Sequence, residues 1–107
     1  MSNIIELNQD NFEQEVLSYT DGPVMIDFWA AWCGPCMALS PVIDEMALEV
    51  ASNVKICKLN VDENNDLARQ FRVMSIPTCV FIKDGVEVDR FVGARNKSDY
   101  LAQFQAM

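Results

Sequence analysis

The sequence predicts an α/β domain in which a central mixed β-sheet of about five strands is flanked by four helices. Strand-like apolar runs alternate with segments of helical spacing, which is typical of a parallel core. The last two strand-like runs are separated only by Lys83-Asp84-Gly85, a hairpin signal that predicts an antiparallel edge. The length of 107 residues suits one domain, residues 1–107.

The first half of the chain predicts two strands and two helices. Ile4-Ile5-Glu6 is typical of a short strand, and Asp10-x-x-Glu13 resembles a capping box that opens a helix. Residues 24–29 form an apolar run suited to a strand that is buried on both faces. Apolar residues at helical spacing then indicate the second helix: Leu39, Val42, Ile43, Met46 and Val50.

The second half predicts three more strands and two more helices. Residues 54–61 form the third strand, and residues 78–82 and 86–92 form the hairpin. A short helix around Leu67 and a last helix opened by Asn96-x-x-Asp99 complete the pattern. The predicted order is therefore β-α-β-α-β-α-β-β-α, with helices on both faces of the sheet.

Composition excludes several classes of function. Sixteen acidic and eight basic residues, with no histidine, give a net charge of −8, which disfavours binding to nucleic acid. No apolar segment approaches the length that crosses a membrane, and the first ten residues lack the basic and apolar regions of a signal peptide. We therefore expect a cytoplasmic protein, in which paired cysteines are more often catalytic or metal-binding than structural.

Two of the four cysteines, Cys33 and Cys36, stand three residues apart directly after a predicted strand. A structural zinc site normally needs four ligands, and the remaining cysteines stand alone in predicted strands, so no metal site is expected. A passive disulfide is a weaker alternative because the pair lies at a strand-to-helix junction. A redox-active dithiol is favoured, since a CxxC pair after a strand in a βαβ pattern is its sequence signal.

The position of each cysteine suggests its role. Cys33 is expected at the start of a helix, where unpaired N–H groups and the helix dipole stabilise a thiolate, so it is the candidate nucleophile. Cys36 lies one turn later and is expected to be more buried, which suits a resolving thiol. The Gly34-Pro35 spacer affects the reduction potential of the pair. Because Pro35 has no N–H, it removes one donor to the Cys33 thiolate, and a less stabilised thiolate makes the dithiol a better reductant.

With these motifs in place, the chain resembles the thioredoxin family over nearly its whole length. The resemblance is carried by DFWAAWCGPC, by Pro41, by KLNVD, by Ile76-Pro77-Thr78, by Gly85 and by Val92-Gly93. It implies the thioredoxin fold and a small cytosolic protein-disulfide reductase that cycles between a dithiol and a Cys33–Cys36 disulfide. It also implies protein disulfides as substrates, a separate thioredoxin reductase, no bound cofactor and a monomer.

The resemblance extends to residues around the dithiol. Asp27 is expected to be buried with a raised pKa, which suits either a proton donor and acceptor or a carboxylate satisfied by a structural partner. The resemblance favours the first, because the matching aspartate in the family assists proton transfer at the second cysteine. Lys58 matches a lysine near that aspartate, although a solvated strand residue is the alternative. The resemblance further implies a cis Ile76-Pro77 bond facing the dithiol and an apolar docking rim for substrate strands. That rim comprises Trp32, Gly34, Pro35, Ile76, Pro77, Val92 and Gly93.

Some positions depart from the family pattern. Met37 replaces the usual lysine after CGPC, and Ser75 replaces a common glycine. Cys57 and Cys79 are additional, and buried lone cysteines are usually inert core residues. Two alternative functions remain: a non-redox binding module that uses the same rim, and a disulfide oxidase or isomerase on the same fold.

Overall fold

The computed structural model describes residues 3–107, and its elements follow the predicted order. The five strands are β1 (Ile5–Glu6), β2 (Val24–Trp29), β3 (Lys55–Asn60), β4 (Thr78–Lys83) and β5 (Val86–Val92). The helical segments are a π-helix (Glu13–Leu17), α1 (Gly34–Glu49), α2 (Asn65–Gln70) and α3 (Lys97–Ala106). Within residues 3–107, none of the helices combines the length and apolar character needed to span a membrane.

The strands form one mixed sheet in the order β1-β3-β2-β4-β5. β1, β3 and β2 run parallel, while β4 is antiparallel to β2 and β5 is antiparallel to β4. The prediction of a parallel core with an antiparallel edge is therefore confirmed. β2 lies at the centre of the sheet and five of its six residues are buried, as expected for an apolar run covered on both faces.

The hairpin turn is one residue shorter than the sequence signal suggested. Lys83 pairs with Val86, which leaves Asp84 and Gly85 as the two turn residues. Both have positive φ, 52° and 79°, the combination that matches the right-handed twist of a two-residue hairpin. A Cβ at position 85 would also lie 2.7 Å from the Leu17 carbonyl oxygen, so both backbone conformation and space require glycine there.

Two apolar clusters sandwich the sheet. The cluster on the face covered by α1 and α3 contains Met25, Ile43, Phe81 and Tyr100, all fully buried. The π-helix and α2 pack on the other face of the sheet, where the buried side chains include Phe12, Val16 and Leu67. The side chains of β2 alternate between the two clusters, so Asp27 shares the face of Met25, the side on which α1 packs.

The start of the first helical segment differs from its prediction. Asp10 lies outside the π-helix and caps nothing; instead the Asn8 side-chain oxygen accepts the N–H groups of Asp10 and Asn11, at 2.8 and 3.0 Å. The Asn11 side-chain oxygen accepts the Asn8 N–H in return, at 2.9 Å. The predicted capping box is wrong because this reciprocal asparagine pair already satisfies the backbone donors that precede the helix.

Candidate active site

The cysteine pair lies where β2 ends and α1 begins. β2 ends at Trp29, and Cys33 occupies the N-cap of α1 with extended backbone (φ −90°, ψ 106°). Gly34 and Pro35 form the start of the helix, where the missing N–H of proline leaves no intrahelical bond unmade. Cys33 and Cys36 form a disulfide with their Cα atoms 5.2 Å apart, so the first helical turn brings the two sulfurs together.

The sulfur of Cys33 lies in a polar environment at the end of the helix. The Cys36 N–H donates to Cys33 Sγ at 3.2 Å, and this donor would remain available to a Cys33 thiolate after reduction. The Ile76 carbonyl oxygen lies 3.7 Å from the same sulfur. The disulfide is therefore directly adjacent to the backbone of the Ile76-Pro77 segment.

Side-chain burial separates the two cysteines very little. Cys33 is 5% exposed and Cys36 is 3% exposed. The sequence predicted that Cys36 is the more buried of the two, and the difference is small because the disulfide holds both sulfurs in the same packed turn. The asymmetry of the pair lies instead in hydrogen bonding, since Cys33 is the sulfur that accepts the helix N–H.

Asp27 is a carboxylate buried in the sheet, with only 1% of its surface exposed. Its burial raises the pKa to about 6, while the positive charge of Lys58 acts in the opposite direction. The strand register sets Asp27 directly opposite Lys58 on β3 and opposite Cys79 on β4. Because directly paired residues project from the same face of a sheet, all three side chains lie on the α1 side.

The Lys58 ammonium group is held near Asp27 by other partners. Its Nζ donates to the Ser40 hydroxyl at 2.8 Å and lies 5.4 Å from the centroid of the Trp29 ring. Ser40 was not among the predicted site residues. Its position one helical turn after Cys36 is the signal that could have identified it.

Apolar surface surrounds the disulfide on the side of Ile76. The Ile76-Pro77 peptide is cis, as the resemblance implied. Trp32 is 72% exposed, and its indole N–H donates to Asp62 Oδ2 at 2.9 Å. A groove of about 500 Å³ runs beside them. Its lining residues are Trp32, Val61, Asn65, Ala68, Arg69, Val73, Met74, Ser75 and Ile76.

Val92 and Gly93, also predicted for the rim, lie at the end of β5 beside Pro77 and Thr78. The Gly93 N–H donates to the Pro77 carbonyl at 2.8 Å, and Val92, which is 58% exposed, pairs with Thr78. Neither residue lines the groove. Met74, 93% exposed, does line it and was missed, because only the folded loop before Pro77 brings this residue beside Trp32.

The two additional cysteines are buried and free. Burial raises the pKa of the Cys57 thiol to about 12. Burial and the nearby charge of Asp27 raise the pKa of Cys79 well above its usual value. Both thiols therefore stay protonated near neutral pH, consistent with the prediction that they are not nucleophiles.

Comparison with known proteins agrees with this geometry. The family model named thioredoxin matches residues 3–106. The chain is 48% identical over 104 residues to a thioredoxin of Haemophilus influenzae, covering 97% of this chain and 95% of that protein. It is 45% identical over 103 residues to a thioredoxin of Pseudomonas aeruginosa, covering 96% and 94%. It is also 45% identical over 98 residues to thioredoxin 1 of a Nostoc species, covering 92% and 91%.

Proposed function

The chain belongs to the thioredoxin family and is a thiol-disulfide oxidoreductase, and on this premise we propose how its residues divide the reduction of protein disulfides. Cys33 is the attacking thiol and Cys36 is the resolving thiol. The observation that carries this assignment is the hydrogen bond from the Cys36 N–H to Cys33 Sγ at the start of α1. It favours the anionic form of Cys33 over that of the other cysteines.

The reaction proceeds in two exchange steps. The Cys33 thiolate attacks one sulfur of a substrate disulfide, forms a mixed disulfide and releases the other substrate sulfur as a thiolate. The Cys36 thiolate then attacks Cys33 Sγ, which closes the Cys33–Cys36 disulfide and releases the second substrate thiolate. The substrate gains two electrons and, once its thiolates take up protons, is a dithiol.

Asp27 is the proposed acceptor of the Cys36 proton in the second step. A carboxyl with a pKa of about 6 exchanges protons readily near neutral pH, and it lies on the sheet face against which α1 packs. The positive charge of Lys58 lowers the pKa of this carboxyl, and the hydrogen bond to the Ser40 hydroxyl holds the ammonium group in place. Aspartate thus acts as the base and lysine as an electrostatic partner.

Substrate docking uses the apolar surface beside the disulfide. Trp32 and Ile76 border the groove, and Pro77 is joined to Gly93 by the hydrogen bond from the Gly93 N–H to the Pro77 carbonyl. Pro77, Val92 and Gly93 are the further proposed contacts for a substrate. An extended substrate segment pairs with the Ile76 backbone, a mode that reads main chain more than side chains and so tolerates many sequences. The Ile76 carbonyl oxygen lies 3.7 Å from Cys33 Sγ, so this backbone segment is adjacent to the attacking sulfur.

The other features of the cycle follow from this chemistry. A thioredoxin reductase returns two electrons to the Cys33–Cys36 disulfide, so the cycle needs no bound cofactor. A reducing compartment suits such a carrier, and the proposed location is the cytoplasm. The proposed acting form is a monomer, because the Cys33–Cys36 exchange needs no residue from a second chain.

Brief alkylation of the reduced protein near neutral pH is expected to label Cys33 at least about tenfold faster than the other cysteines, because only Cys33 caps the helix. The labels are located by peptide mapping after quenching. Preferential labelling of Cys36, Cys57 or Cys79 would contradict the assignment of the nucleophile.

Met37→Lys is expected to change partner choice more than redox chemistry. Met37 follows Cys36 on α1 and is 48% exposed, so a lysine there would place a positive charge beside the disulfide. The variant should reduce acidic substrates a few-fold faster at low salt, with the gain lost at high salt. Stopped-flow reduction of one acidic and one basic disulfide substrate measures this. An equal response of both substrates, or a response independent of salt, would exclude electrostatic steering at this position.

A further inference from the structure

A buried group of polar side chains lies beside Asp27 and has no role in the cycle described so far. The Arg95 N–H donates to the Tyr100 hydroxyl oxygen at 3.1 Å, and Tyr100 and Cys79 belong to the same buried cluster. Cys79 Sγ in turn lies 3.9 Å from Asp27 Oδ1, within the range of a weak thiol hydrogen bond. Tyr100, Cys79 and Asp27 are all 1% exposed or less.

The direction of these bonds follows from the chemistry of the groups. The Tyr100 oxygen accepts a hydrogen bond from the Arg95 N–H, since a backbone N–H can only donate. Burial and the charge of Asp27 keep the Cys79 thiol protonated, so it retains a hydrogen to donate. The acceptor nearest to that hydrogen is the Asp27 carboxyl.

We propose that Cys79 is a positioning residue for proton transfer: its thiol donates to Asp27 Oδ1 and stabilises the carboxylate. The inference rests on the proposed function of Asp27 as the acceptor of the Cys36 proton. It differs from that function because it assigns a role to a cysteine that never exchanges a disulfide. Cys79 acts on the carboxyl from β4, while Lys58 acts on it from β3.

The groups around Asp27 have separable effects on its protonation. Burial favours the neutral acid, and the charge of Lys58 on β3 favours the carboxylate. A donor on β4 favours the carboxylate as well. Tyr100 on α3 also faces this carboxyl, because the charge of Asp27 contributes to raising the pKa of Tyr100. Cys36 on α1 is the partner in the proposed transfer. Removing the Cys79 donor should therefore raise the pKa of Asp27.

Three variants test this. Cys79→Val removes the donor with little change in volume, and Cys79→Ser replaces it with a stronger donor. Cys57→Val is the matched control, because Cys57 is an equally buried free cysteine on β3 that belongs to the cluster on the other face of the sheet. Cys79→Ala removes the same donor and serves as a second variant if valine is not accommodated.

The first readout is the Asp27 carboxyl pKa, measured by ¹³C NMR titration of the oxidised protein. Cys79→Val and Cys79→Ala should raise it by about half to one unit, the effect of one weak bond to a charged group. Cys79→Ser should keep or lower it, and Cys57→Val should leave it unchanged. Equal values in wild type and Cys79→Val, or an equal rise in Cys79→Ser, would overturn the proposal.

The second readout is the pH dependence of the step in which Cys36 resolves a preformed mixed disulfide on Cys33. Its inflection should move with the Asp27 pKa in Cys79→Val, and Asp27→Asn should abolish it. If Asp27→Asn leaves the profile unchanged, the base assigned under the proposed function is wrong, whereas the titration still decides whether Cys79 stabilises the carboxylate. An inflection that depends on Asp27 yet ignores Cys79 would overturn the positioning role.

Discussion

Cys36→Ser is expected to trap the protein on its substrates and to lower turnover by roughly three orders of magnitude or more. The variant keeps Cys33 at the N-cap of α1, so the attack on a substrate disulfide still occurs. The mixed disulfide then persists, because a serine hydroxyl cannot displace the substrate sulfur from Cys33. Cys33→Ser should lose turnover to the same degree without forming the adduct.

Mass spectrometry of the variant incubated with a disulfide-bonded protein detects the adduct, and the rate of substrate reduction measures turnover. Cys57→Ser is the control, because it removes a buried cysteine that stands outside the active-site pair. An adduct formed by Cys33→Ser but not by Cys36→Ser would reverse the two roles. Full activity of a variant that lacks both cysteines would instead favour the binding-module alternative.

Asp27→Asn is expected to stabilise the oxidised protein at pH 8 while slowing its turnover. The folded pKa of Asp27 is about 6 and its usual value is 3.8, so the native state binds more protons than the unfolded state between these values. Wild-type stability therefore falls as pH rises from about 4 to about 6. A shift of this size corresponds to about 2 to 3 kcal/mol of destabilisation above pH 6, which a neutral amide does not suffer.

The difference in the free energy of unfolding between Asp27→Asn and wild type, called the gap below, should therefore widen as pH rises. At pH 4 the aspartate is largely protonated in the native state and about half protonated in the unfolded state, so only a small part of the penalty remains and the two proteins should differ little in the free energy of unfolding. Denaturant unfolding at pH 4, 6 and 8 measures the gap, and Asp27→Ala repeats the test with a partly offsetting cavity. A gap that does not change with pH, or an asparagine variant less stable at pH 8, would contradict the buried-acid interpretation.

Much of the fold and the centre of the site could be predicted from the sequence, because their determinants are local. Cys33 and Cys36 meet within one helical turn, and Pro35 suits only its first positions. The continuous apolar run of β2 indicates a strand covered on both faces, and Asp84-Gly85 supplies the positive φ angles of a tight hairpin. The carboxylate within the apolar run also predicts the burial of Asp27.

Other features could be decided only by the tertiary structure, because they join residues far apart in the chain. Cys79 was predicted to be an inert core residue, and only the register of β2 with β4 sets it beside Asp27. Tyr100 shares a buried cluster with Cys79 only because α3 packs on the same face of the sheet. Strand register and helix docking depend on how both faces of the sheet are packed, and no spacing within one segment encodes them.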